Sequence, residues 1–163
     1  MPALNASDND LTLEDVNKYT DAFYIGGTKN GAMLGEALVI INDLLKKNFK
    51  YSWKQQGSLL AKNSLIAAQF KVLIETDLIN KNAIHANKMC KMLKDAFLAK
   101  GYKLDFENNT NQLFVKMSEE DFKRLSNFAS FQVMDKYDDY ILARFVTCFN
   151  TIEEEVSNFI KNI

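Results

Sequence analysis

The chain has 163 residues, with 20 Lys+Arg against 21 Asp+Glu and 47% hydrophobic residues, enough apolar material for one compact core or a small core with an appendage. A net charge of −1 withholds the basic footprint that phosphate-backbone binding needs, which excludes a dedicated nucleic-acid binder and gives no support to a membrane-surface helix. The longest apolar run, Ala37-Leu38-Val39-Ile40-Ile41, is far short of the ~20 residues that cross a bilayer, and the first residues are Asn/Asp-rich where a secretory segment is apolar, so no membrane association is expected and the expected compartment is the cytoplasm.

In chain order, Thr12-Leu13-Glu14-Asp15 is a capping pattern that predicts a short helix within residues 10–18, because the Thr hydroxyl can accept from the N–H three residues on. Residues 21–25 read as a strand halted by Gly26-Gly27, and residues 36–41 as a second strand buried on both faces, joined through Gly26-Gly27-Thr28-Lys29-Asn30-Gly31. A helix is expected from 42 to about 47, then a connector containing Trp53-Lys54-Gln55-Gln56-Gly57, then a long helix over 58–79 that is apolar on nearly every face and so is expected between layers. Asn80-Lys81-Asn82 breaks the pattern, and 83–100 is a helix stopped by Gly101.

Residues 102–106 and 112–117 read as strands flanking the turn-prone Asn108-Asn109, which makes an antiparallel hairpin. Ser118-Glu119-Glu120-Asp121 caps a helix to about 127; strands follow over 129–134 and 140–149; Thr151-Ile152-Glu153-Glu154 caps the terminal helix. This order predicts an antiparallel sheet with helices packed on one side, and hence an α/β piece followed by an α+β domain.

Few residues are placed to carry chemistry. Cys90 and Cys148 have apolar neighbours and no second Cys or His at ligand spacing, so both are expected as buried free thiols, and no metal site is expected. His85, the only histidine, is expected on a helix surface. Lys29 lies in a glycine-flanked loop directly after a strand. Small neighbours admit a large ligand, and a partly dry site lowers the amine's pKa, which suits a lysine that bonds an aldehyde; a solvated loop lysine is the other reading. Arg144 is one of two arginines against eighteen lysines and interrupts an apolar strand. Such a guanidinium must be paired or face a cavity, where its planar fork fits a carboxylate; the alternative is an edge-strand residue reaching solvent or an internal acid such as Asp138 or Asp139.

The stretch Asp21-Ala22-Phe23-Tyr24-Ile25-Gly26-Gly27-Thr28-Lys29-Asn30-Gly31-Ala32 resembles the cofactor-lysine segment of the threonine aldolase and β-eliminating lyase family, fold-type I pyridoxal-phosphate enzymes. The likeness continues through Gly35-Glu36-Ala37-Leu38-Val39-Ile40, the 54–62 connector, Thr110-Asn111-Gln112-Leu113-Phe114 and Arg144-Phe145-Val146-Thr147. It implies that Lys29 bonds pyridoxal 5′-phosphate and moves protons at the substrate α-carbon, and that Arg144 holds the α-carboxylate of a small amino-acid substrate. The implied reaction is cleavage of a β-hydroxy amino acid to glycine and an aldehyde.

The same resemblance implies a C-terminal half only: residues 1–79 as the end of the cofactor domain, with the lysine strand pair and a long helix, and 80–163 as the complete small domain. The phosphate cup, the ring-stacking side chain and the Asp at the pyridine nitrogen have no counterpart among these residues. The expectation is an inactive isolated chain that associates with itself or with a complementary N-terminal half; a non-catalytic interaction module is the alternative.

Overall fold

The computed structural model describes all 163 residues. Two compact units are present, one comprising Met1 and Asp10–Lys81, the other Pro2–Asn9 and Asn82–Ile163. No helix is long and apolar enough to cross a membrane.

The first unit opens with α1 (Leu13–Tyr19), held by the capping box expected of it. The Asp15 N–H donates to Thr12 Oγ1 at 3.2 Å, and the Thr12 N–H donates to the Asp15 carboxylate at 2.8 Å. The Thr12 hydroxyl, which donates to the same carboxylate at 2.7 Å, and then the Thr12 N–H hold the Asp15 carboxyl below its ordinary pKa. Strands β1 (Ala22–Gly26) and β2 (Glu36–Ile40) pair antiparallel, with Phe23 opposite Val39 and Tyr24 opposite Leu38. The expectation that the second strand is buried on both faces is corrected here. Tyr24 is 69% exposed and Leu38 52% exposed, because period-2 alternation puts them together on the outer face of a two-stranded element with no layer over it.

The region between residues 42 and 82 departs most from expectation. After α2 (Asp43–Lys46) comes a further helix, α3 (Phe49–Gln55), where a connector was expected. Asn48 separates them in the left-handed region at φ 60°, and Phe49 stacks on Trp53 one turn later at 6.0 Å. The long helix expected over 58–79 is shorter, α4 (Asn63–Glu75), and the longest helix is α5 (Leu78–Ala99). Asp77 at φ 58° is the break, and the Thr76 hydroxyl turns back to the Val72 carbonyl at 2.7 Å. Helix α4 buries Phe70 and Leu73 but leaves Leu65 67% exposed, so within this chain it is not covered on all faces.

The second unit is a four-stranded antiparallel sheet in the order β3-β4-β6-β5, built from β3 (Lys103–Leu104), β4 (Gln112–Met117), β5 (Gln132–Lys136) and β6 (Ile141–Val146). Leu113, Val115 and Met117 of β4 lie opposite Phe145, Ala143 and Ile141 of β6 and share one face. Against that face pack Met89, Cys90, Leu93 and Phe97 of α5, Leu125 of α6 (Glu119–Leu125), and Val156 and Phe159 of α7 (Glu153–Ile160). Phe97 is fully buried at the centre, its ring 5.2 Å from Tyr102 and 5.0 Å from Phe145.

The strand expected over 129–134 begins three residues later, since the Phe128 and Ala129 N–H groups still bond the Leu125 carbonyl and finish the turn of α6. Ser118 caps α6 as expected, accepting from the Asp121 N–H at 3.0 Å. Thr151 does not cap α7: its hydroxyl accepts the Cys148 N–H at 2.9 Å, and the N-cap is Ile152. Cys90 is buried, and burial pushes its thiol up to about 11. Cys148, expected in a core, is exposed in the loop after β6, where its thiol donates to Asn150 Oδ1 at 2.8 Å.

Candidate functional site

Lys29 stands at the middle of a single 3-10 turn, Thr28–Asn30, that leaves the end of β1. Polar locking and close packing make this turn rigid. Asn30 is buried and its amide donates to the Gly26 carbonyl at 2.6 Å, while the N–H groups of Asn30 and Ala32 both bond the Gly27 carbonyl, at 2.9 and 3.0 Å. Gly27 donates to the Gly35 carbonyl at 2.9 Å, and a Cβ on Gly27 would stand 2.5 Å from that oxygen. At Gly35, φ is +89° and a Cβ would stand 2.6 Å from Ile66 Cγ2, so both backbone positions require glycine for conformation or space.

The Lys29 side chain is exposed. The drying invoked for it from sequence is therefore not provided by these residues, and the expectation of a desolvated amine is corrected on that ground. What the turn does provide is a primary amine carried on fixed backbone and engaged in none of the chain's ion pairs. That donor fits the aldehyde of pyridoxal phosphate, which needs a free, sterically open amine.

Arg144 belongs to the second unit and to β6, which has a neighbour on each side, so the edge-strand alternative is corrected. Alternation places it on the sheet face opposite the helices, directly between Phe114 of β4 and Gln132 of β5. Its Nη2 donates to Gln132 Oε1. Its Nε is buried and has no hydrogen-bond partner, and none of the chain's ion pairs includes it. Neither Asp138 nor Asp139 serves as its partner. The other arginine is used differently: Arg124 pairs with Asp121 at 2.7 Å and donates to the Asn162 carbonyl and to Tyr102. A half-buried guanidinium with an unused N–H and no internal acid fits an incoming planar carboxylate.

Sequence reasoning missed Phe114 and Gln132 as Arg144's neighbours, since strand register alone brings them to it. It also placed His85 on an open surface. The ring is half-buried, and its Nε2 lies 2.8 Å from the Thr151 carbonyl, joining α5 to the start of α7. No group of three or more His, Cys, Asp or Glu is placed to hold a metal ion.

No protein-family profile matches the chain. Among characterised proteins it is 36% identical over 109 residues to a low specificity L-threonine aldolase of a Pseudomonas species, a match that spans 66% of this chain and 31% of the relative. It is 34% identical over 100 residues to the enzyme of the same name from Pseudomonas aeruginosa, spanning 61% of this chain and 29% of that one. Among solved structures, threonine aldolase of Leishmania major superposes with a TM-score of 0.93 at 38% identity, over 98% of this chain and 47% of that one. The chain thus spans about half the length of the solved relative and about a third of the curated ones in their matched parts. With sequence and fold in agreement, the chain belongs to the threonine aldolase family of fold-type I enzymes.

Proposed function

We propose that this chain supplies the lysine and the carboxylate-binding arginine of a pyridoxal-phosphate-dependent lyase that splits threonine or a related β-hydroxy amino acid into glycine and an aldehyde. The single observation that carries the reading is the rigid glycine-flanked turn presenting an unpaired Lys29, in a chain of this family. When bound, the cofactor supplies the electron sink for charge developing at the substrate α-carbon. Lys29 holds the cofactor through its amine and, once freed by substrate, moves a proton at the α-carbon. Arg144 takes the α-carboxylate through its N–H fork and so orients the bond to be broken.

The exposure of Lys29 supports a further part of this reading. Nothing in its own unit dries or surrounds the amine, so the 163 residues alone cleave no threonine, and activity requires the remaining length of such an enzyme. The test is to co-express this chain with that remaining length from a family member and follow acetaldehyde release from L-threonine. In this assembled enzyme Arg144→Lys is expected to lower kcat/KM by about 30- to 1,000-fold, because an ammonium cannot reproduce the bidentate grip. Unchanged kcat/KM in that variant would refute the role given to Arg144.

A partner is favoured by the apolar surface of the first unit. Tyr24 and Leu38 pair on an open strand face, and Met33 is 87% exposed, a pattern that calls for cover by a second copy or by the complementary part of the enzyme. Sedimentation of the purified chain at micromolar concentration is expected to show self-association. A single monomeric species would count against it.

A further inference from the structure

Arg144 is held by an arrangement that the family resemblance does not assign, and it can be followed across three strands. Gln132, Arg144 and Phe114 stand opposite one another in register on β5, β6 and β4, in one row on the sheet face away from the helices. Phe114 in turn is in contact with Phe106, their ring centres 4.8 Å apart, so one flank of the row is aromatic and the other is the Gln132 amide. The carboxylate of β5 on that same face is Asp135, opposite Leu142. A β-bulge between Val133 and Asp135 sets it there, and its Oδ1 accepts the Lys136 N–H at 2.9 Å instead of a guanidinium hydrogen. The nearest side-chain acceptor used by Arg144 is therefore a neutral one, Gln132 Oε1.

A neutral acceptor and an acidic one have different consequences at this position. Either can fix the plane of a guanidinium by taking an Nη hydrogen. A carboxylate would also neutralise the charge and occupy the fork, leaving an incoming acid to compete with an internal one. No acid pairs with Arg144 and its Nη2 donates to the neutral Gln132, so this fork is held but not filled.

We propose that Gln132 is a positioning residue for substrate binding: its amide oxygen holds the Arg144 guanidinium in the plane in which the remaining Nη hydrogens meet the α-carboxylate, while leaving its charge uncompensated. The inference rests on the reading of Arg144 as the carboxylate-binding residue, and it adds the reason that the residue beside it is an amide. The substrate class follows from the same geometry: a ligand with a free, ionised α-carboxylate, not an ester, an amide or a decarboxylated amine.

The experiment uses the assembled enzyme with L-threonine and three variants. Gln132→Ala is expected to raise KM about five- to tenfold with kcat within about twofold, since a ground-state contact shared with the transition state is loosened. Gln132→Glu keeps the size and the acceptor but adds the charge, and is expected to raise KM by about fiftyfold or more, further than the alanine change. Gln132→Ala added to Arg144→Lys is expected to change KM no further, because the amide acts through the guanidinium.

A second readout needs no turnover. The chain holds only two arginines, so its nitrogen-15 arginine side-chain spectrum has two Nε–H signals, and Arg124→Lys identifies which belongs to Arg144. That signal is expected to be slow to exchange with water in the unaltered chain and to broaden in Gln132→Ala. If Arg144→Lys lowers kcat/KM while Gln132→Ala and Gln132→Glu both leave KM within twofold, this proposal is overturned and the role of Arg144 stands. If Arg144→Lys leaves kcat/KM unchanged, both are overturned. A Gln132→Ala effect that persists undiminished in the Arg144→Lys background would also overturn the proposal, since Gln132 would then act elsewhere.

Discussion

Replacing Lys29 by Ala in the assembled enzyme is expected to lower threonine cleavage by about 10⁴-fold or more, the largest effect of any single change in this chain. The expectation follows from what the turn offers. Its backbone is locked by the Asn30 amide and by the close Gly27–Gly35 pairing, and the only primary amine it carries is that of Lys29. A neighbouring lysine cannot substitute, since the Thr28–Asn30 turn has no second one and a side chain at Gly27 would collide with the Gly35 carbonyl. Noncovalent cofactor binding should survive, because the substitution shortens one exposed side chain and disturbs no buried contact. Acetaldehyde release measures the effect, and activity within tenfold of the unaltered enzyme would remove Lys29 from the chemistry.

Phe97→Ala is expected to destabilise the second unit by about 3–5 kcal/mol. Phe97 is fully buried, and its ring lies 5.2 Å from Tyr102, 5.0 Å from Phe145 and 6.4 Å from Phe159, joining α5 to the sheet and to α7 at one point. Truncation leaves a cavity among three rings held by separate elements, which restricts how far the site can collapse to fill it. Urea unfolding followed by far-UV circular dichroism checks this through the shift in midpoint. A loss below about 1 kcal/mol would mean that the core relaxes around the missing ring or is organised elsewhere.

Features set by a few consecutive residues were legible in the sequence. The Thr12 and Ser118 caps are local patterns, and both form with the hydrogen bonds their spacing implies. The alternation of Leu113, Val115 and Met117 marks a strand with one buried face whatever its partner. Lys29 and Arg144 stood out because each breaks the character of its surroundings. Where reading failed, a non-local choice decided. Asn48 and Asp77 adopt left-handed backbone that most residues avoid, and no pattern in residues 42–82 announces that the helices break there while the polar Asn80-Lys81-Asn82 run continues inside one. Thr151 looks like a cap in sequence but is taken by Cys148 across a loop. The partner of Arg144 was beyond reach for a related reason: Gln132 becomes its neighbour only through the pairing of β5 with β6, whose register includes a bulge.

The most direct test of the central claim is to reduce the cofactor-loaded assembled enzyme with borohydride and map which peptide carries the fixed pyridoxyl group. Eighteen lysines in this chain are available to be labelled. The expected result is a single modified lysine in this chain, Lys29; a pyridoxyl group fixed to any other lysine, with Lys29 unmodified, would contradict the assignment of the site.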